Sequence, residues 1–169
     1  MDILISSNLE RLLYHVSGSS EKVAGWMQEL SATGKYTVDA ETLAKIQQSF
    51  AAGYADDADG AAEIKARFDG DHYLCDTHTA VACRVADTRR TDAPMVVLST
   101  ASPFKFCASV LDALGVTEHQ PGTKVLGQLT AVTGREAPLP LASLADKTPR
   151  FGEVADKTAM QSVVTEFLQ

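Results

Sequence analysis

At 169 residues, 45% of them hydrophobic and 22% charged, the chain carries enough apolar material for one domain core with a small appendage. A formal net charge of −7 with no basic run argues against nucleic acid and against an anionic membrane surface as partners, since both are met by basic faces. No apolar run of about eighteen residues and no basic-then-apolar leader pattern occurs, so a cytoplasmic protein is expected.

The chain opens on Asp2-Ile-Leu-Ile-Ser-Ser-Asn8, with a candidate strand at Ile3 to Ile5 followed by Leu9, Leu12 and Leu13 at helical spacing. From Ser20 onward, Val23, Trp26, Met27 and Leu30 fall on one helix face that ends near Gly34. Asp39 reads as the N-cap of a helix carrying Leu43, Ile46, Gln47 and Phe50, and a short helix is expected through Ala61, Ile64 and Phe68. After a looped stretch from Tyr73 to Asp76, Thr77 is the expected cap of a helix that turns Val81 and Val85 inward and runs to about Arg89. Met95 to Leu98, continuously apolar behind Pro94, predict a buried strand. Ser102-Pro103 then predict a helix start, with Phe106, Val110, Leu111 and Leu114 on one face and Gly115 past its end. A helical segment within Gly122 to Gly134, a break at Pro138-Leu-Pro140 and a last helix with Met160, Val163, Val164 and Phe167 complete the chain.

Helices therefore dominate, against one strand and one candidate. Two parallel strands separated by about ninety residues of helix share a sheet only if other strands come from elsewhere. The expected fold class is accordingly α/β: the carboxyl-terminal part of a larger protein, mostly helical in this piece with a remnant parallel sheet.

His72, Cys75, His78 and Cys83 are zinc-type ligands in one short span. Cys83 follows His78 by five residues on one helix, about 140° round, so no metal site is expected. The acidic residues Asp56, Asp57, Asp59, Glu63, Asp69, Asp71 and Asp76 lack the order of a calcium loop and read as a solvated face. Cys75, Cys83 and Cys107 lack C-x-x-C spacing and read as reduced, small apolar residues. There is no G-x-S-x-G elbow, no Walker loop and no G-x-G-x-x-G. Two polar turns remain, Ser6-Ser-Asn8 with Arg11, and Ser99-Thr100 with Ser102 and Lys105, and residue type alone makes them turn and cap residues first.

Three segments in order, Asp2-Ile-Leu-Ile-Ser-Ser-Asn-Leu-Glu-Arg-Leu-Leu13, Asp76-Thr-His-Thr-Ala-Val-Ala82 and Leu98-Ser-Thr-Ala-Ser-Pro-Phe-Lys-Phe106, together resemble the carboxyl-terminal part of the threonine synthase family. Gly53-Tyr-Ala-Asp-Asp57 is similar too, so the resemblance covers most of residues 1–117 and is generic beyond them. It implies a pyridoxal-phosphate enzyme of the tryptophan-synthase-β-like fold (fold type II), a lyase of threonine biosynthesis that converts O-phospho-L-homoserine and water into L-threonine and phosphate. In that family the Thr of the Ser-Thr-Ala turn faces the pyridine nitrogen, which assigns Thr100, with Ser99 beside it, to cofactor binding. Ser7, Asn8 and Arg11 form the expected substrate-binding set. Ser102 stands where many members have His, and Thr77 where many have Pro. The family's Schiff-base lysine in a Ser-Phe-Lys-Asp-like motif and its glycine-rich phosphate loop do not occur in this sequence, and Lys105 sits in a helix rather than in such a motif.

The resemblance thus implies that residues 1–117 complete a large pyridoxal-phosphate-binding α/β domain and that 118–169 form a helical extension. No catalytic residue is expected in this piece, which alone binds no pyridoxal phosphate and is inactive. Its natural partner is the missing amino-terminal part of the same chain, and alone it self-associates through uncovered apolar surface. The alternatives are a non-enzymatic helical protein-interaction module and a small metal-binding protein.

Overall fold

Polar caps and left-handed stops decide where the helices of this chain begin and end. The computed structural model, which describes residues 5–152 and 154–168, divides into two units, Met1–Glu118 and His119–Gln169. In the first, α1 (Ser7–Ser17) starts where the Ser6 hydroxyl accepts from the Leu9 amide at 3.3 Å, and stops at Gly18, whose φ of 67° suits a residue without Cβ. Helix α2 (Ser20–Thr33) is capped by Ser19, and α3 (Ala40–Gln47) by Asp39, which accepts from the Thr42 amide at 2.8 Å. Leu13, Val23 and Trp26 are buried together, with Met27, Tyr36, Val38 and Ile46 packed around them, so α1 lies on both α2 and α3. Full burial of a leucine such as Leu13 contributes about 1.5–3 kcal/mol.

The other half of this unit packs α4 (Asp57–Asp71) against α5 (Thr77–Asp87) and α6 (Cys107–Ala113). Ile64, Ala80, Val110 and Leu111 are buried on these helices. Helix α4 is longer than its apolar spacing suggests, because Asp56 caps it at 2.7 Å from the Asp59 amide and Arg67 braces its last turns. The Arg67 guanidinium donates to Glu63 at 2.6 Å, to Asp71 at 3.1 Å and, across to α5, to Asp87. Glu63 is itself buried, so the acidic stretch is a solvated face only in part. The loop before α4 lies tight on α5: a Cβ on Gly53 would sit 2.6 Å from Val85 Cγ1, and Arg89 donates to the Ala52 carbonyl at 2.8 Å.

Several sequence expectations need correction. Asp76, not Thr77, caps α5; its carboxylate accepts from the His78 amide at 2.9 Å and the Thr79 amide at 3.3 Å, so Thr77 becomes the first helical residue. The helix stops at Asp87 rather than Arg89, and its fully buried residues are Thr79 and Ala80, with Val81 and Val85 only half-buried. The helix expected from Pro103 is broken. Pro103–Lys105 form one 3₁₀ turn capped by Ser102, Phe106 leaves helical geometry at φ −128° and ψ 36°, and α6 starts after it. Phe106 turns to meet the His78 ring edge-on at 5.3 Å, which fixes the break.

The remnant parallel sheet is absent among the described residues. Met95 to Leu98 form no ladder, and Val96 and Leu98 stand 79% and 73% exposed. A strand exists only through backbone pairing with a neighbour, and a run of apolar residues supplies none by itself. Of the other candidate strand, Ile3 and Leu4 lie outside the described residues, and Ile5 occupies an exposed bend.

In the second unit, α7 (Lys124–Thr133) ends at Gly134, again left-handed at φ 65°. Pro138-Leu-Pro140, expected as a break, instead starts the short α8 (Leu139–Ala142), since proline in the first turn displaces no helical hydrogen bond. The last helix, α9 (Met160–Phe167), leaves Phe167 edge-on to Phe151 at 6.0 Å. No helix among the described residues is long and apolar enough to cross a membrane.

Candidate functional site

The entrance to α5 gathers the most heavily buried polar side chain among the described residues. Asp76 is 0% exposed and Thr79 2% exposed. One carboxylate oxygen of Asp76 takes the two amides of the cap, and the other accepts from the Thr79 hydroxyl. A carboxylate so satisfied is the form of Asp that tolerates burial. On its far side the Thr79 hydroxyl shares a hydrogen bond of 3.4 Å with the hydroxyl of Ser99, which ties the Met95–Thr100 stretch to α5 across twenty residues of sequence. Thr100 follows, exposed, and its hydroxyl has no partner among the described residues.

The expected cofactor pair is thus distributed unequally: Ser99 is anchored and Thr100 is free to meet a ligand. The expected substrate set lies at the start of α1. Ser7 and Arg11 line an open groove of about 460 Å³ between α1 and α2, together with Glu10 and Tyr14, while the Arg11 guanidinium donates to Asn8 Oδ1. Neither Ser99 nor Thr100 lines this groove.

Asp76 and Thr79 escaped the sequence reading as site residues, because Thr77 absorbed the cap assignment. The usable signal was local: an aspartate three residues before a threonine at a helix start offers one carboxylate both to amides and to the hydroxyl. Thr77 Oγ1 is buried without a partner among the described residues.

The three cysteines are poor nucleophiles. Burial, with Cys83 nearby, pushes the Cys75 thiol up to about 11, and burial also raises Cys83 and Cys107. The Cys107 thiol donates to the Phe104 carbonyl at 3.2 Å. Among the described residues no three His, Cys, Asp or Glu side chains converge as a metal-ligand set: His72 sits at the left-handed end of α4, while His78 packs on Phe106.

Comparison with known proteins gives this geometry its context. The family model "Threonine synthase, C-terminal" matches residues 79–164 and so reaches well into the second unit, whose sequence had looked only generically similar. A threonine synthase of Schizosaccharomyces pombe is 32% identical over 75% of this chain and 28% of its own length; that of Saccharomyces cerevisiae is 33% identical over 68% and 26%. The crystal structure described as PLP-bound threonine synthase from Brucella melitensis superposes with a TM-score of 0.61 at 38% identity, covering 80% of this chain and 29% of that one. The chain spans about a quarter of the length of the curated relatives it matches. A match over half of its residues, from Thr79 through the Ser99-Thr100 turn and into the second unit, places the chain in the threonine synthase family, as a C-terminal part of that fold.

Proposed function

We propose that this chain serves as the carboxyl-terminal part of a pyridoxal-phosphate-dependent lyase that converts O-phospho-L-homoserine and water into L-threonine and phosphate. One observation carries the reading furthest: the unpartnered, exposed hydroxyl of Thr100 beside the anchored Ser99. A pyridine nitrogen accepts one hydrogen bond, and a neutral hydroxyl meets it without imposing a charge, whereas a carboxylate there would hold the ring protonated. Thr100 fits that task and Ser99 holds the turn. When bound, pyridoxal phosphate supplies an electron sink for carbanion chemistry. The chain's own contribution is to orient and to exclude.

In this reading Ser7, Asn8 and Arg11 bind substrate. Arg11 offers a guanidinium to an anionic group, and Ser7 stands where the amides of the first turn of α1 favour negative charge. The lysine that bonds the cofactor and the loop that holds its phosphate are supplied by the amino-terminal part of the protein, which also covers Met95, Val96 and Leu98. By itself the 169-residue chain is inactive and retains no pyridoxal phosphate. Residues 1–117 complete the cofactor domain, and 118–169 extend it.

The test is phosphate release from O-phospho-L-homoserine by full-length protein. Thr100→Val keeps the branched shape and removes the hydroxyl. Loss of one neutral hydrogen bond at a buried ligand costs about 0.5–1.5 kcal/mol, and more where the partner is left unpaired, so turnover and cofactor affinity fall by roughly ten-fold. Absence of phosphate release by the wild type overturns the reading, and full activity in Thr100→Val overturns the assignment of Thr100 within it.

A further inference from the structure

We propose that the buried Asp76 and Thr79 are positioning residues, forming a carboxylate–hydroxyl–hydroxyl chain out to the exposed Ser99 that fixes where Thr100 presents its hydroxyl. The proposal rests on the assignment of Thr100 above only for its functional meaning. Its structural basis is independent of any cofactor.

Proton accounting sets the direction of the chain. Both oxygens of Asp76 act as acceptors, one from the amides of His78 and Thr79 and the other from the Thr79 hydroxyl. Thr79 has a single hydroxyl proton, and the carboxylate, which can only accept, takes it. Only the lone pairs of Thr79 Oγ1 remain for Ser99, so Ser99 is the donor in the 3.4 Å contact. The buried end is rigid, since Asp76 caps α5 and neither it nor Thr79 has room to turn. The other end is a stretch with no helix and no ladder, whose neighbours Val96 and Leu98 are largely exposed.

A stretch of that kind samples many conformers unless a side chain pins it. The Ser99 hydroxyl is that pin, and the Cα of Thr100 lies one peptide unit, about 3.8 Å, further on. Asp76, Thr79 and Ser99 therefore act on Thr100 without touching a ligand. At 3.4 Å the contact is longer than a strong hydroxyl pair, so its loss shifts the population of the fixed conformer modestly, by about two- to ten-fold.

The test uses full-length protein with ¹³C-methyl-labelled threonine, in the absence and presence of pyridoxal phosphate. Two readouts are taken: the order parameter of the Thr100 methyl in cofactor-free protein, and the dissociation constant for pyridoxal phosphate. Thr79→Val removes the relay at its centre, and Ser99→Ala breaks the same contact from the exposed side without disturbing the α5 cap. Both variants are expected to lower the Thr100 order parameter and to weaken cofactor binding by about two- to ten-fold. Thr79→Ser, which keeps the hydroxyl, restores both. A Thr100 methyl as ordered in Ser99→Ala as in the wild type overturns the proposal, and so does a Thr79→Ser variant as mobile as Thr79→Val. If Thr100→Val leaves cofactor affinity unchanged, the assignment of Thr100 fails while the order parameters still decide the relay. Should Thr79→Val not fold, Ser99→Ala alone carries the decision.

Discussion

Thr77 offers the sharpest test of the structural reasoning. Its hydroxyl is buried without a partner among the described residues, at the first position of α5. A buried hydroxyl stripped of water and left unpaired costs about 1–3 kcal/mol, whereas an apolar group of the same shape costs nothing of the kind. Thr77→Val keeps the branched side chain and its packing while removing that cost, so it is expected to stabilise the chain by about 1 kcal/mol. For a chain of this size that corresponds to roughly 2–4 °C in Tm. Thr77→Pro adds a second gain. The first helical position tolerates the missing N–H, and Asp76 at φ −80° and ψ 171° already has the extended geometry that a following proline demands. The restriction of the unfolded chain contributes about a further 0.4–1 kcal/mol.

Urea unfolding followed through the fluorescence of Trp26, the single tryptophan, measures both variants against the wild type. If Thr77→Val is less stable than the wild type by 1 kcal/mol or more, the hydroxyl has a partner and the description of the α5 entrance is wrong. If Thr77→Val stabilises and Thr77→Pro destabilises, the first amide of α5 carries a hydrogen bond that the cap geometry does not require.

Asp39 titrates well below its ordinary value of 3.8, at about 2, because the Thr42 amide and the Lys22 ammonium both bond its charged form. A depressed folded-state value means that the unfolded chain binds the proton first, so the contribution is fully present above about 3.8 and is lost as the pH falls toward 2. The stability difference between wild type and Asp39→Asn should shrink over that window in acid denaturation, and a difference constant with pH would refute it. Gly53→Ala drives a methyl to 2.6 Å from Val85 Cγ1, and because a helical valine has one preferred rotamer the clash is expected to cost about 1–3 kcal/mol in the same urea assay. A neutral Gly53→Ala would show that the loop before α4 moves freely. The 169-residue chain, with Val96 and Leu98 uncovered, should show concentration-dependent mass by light scattering; a monomer over a wide range would show that this apolar stretch needs no covering partner.

Local chemistry was legible in the sequence and pairing was not. Asp39, Ser102 and Gly115 could be placed because a cap or a left-handed stop is decided within four or five residues; in the structure Gly115 has φ 86° and the Val116 amide closes on the Leu111 carbonyl at 2.9 Å. The choice between Asp76 and Thr77 lies within the same reach, but cap preference alone does not make it. Both are cap residues, and what separates them is the hydroxyl of Thr79, which only the carboxylate can satisfy while buried. The bond from Arg67 to Asp87 spans twenty residues, as does that from Thr79 to Ser99, and no periodicity announces either. Met95 to Leu98 have the composition of a strand, but pairing needs a second backbone, and the described residues hold none.

The same separation sharpens what the family resemblance can bear. Each of its three segments contains a helix cap: Ser6 for α1, Asp76 for α5 and Ser102 for the 3₁₀ turn at Pro103. Such residues are required by the local fold whatever the protein does, so their presence speaks for architecture before chemistry. The residues that merit a functional reading are those in the same segments for which the fold has no use. Ser99 is partly explained by its bond to Thr79, and Asn8 by its bond to Arg11. Thr100 is explained by neither capping nor packing, since it is exposed and its hydroxyl has no partner among the described residues. A threonine that the fold does not need, set one residue beyond a side chain tied to the buried Thr79, is where substitution separates an enzyme from a helical scaffold.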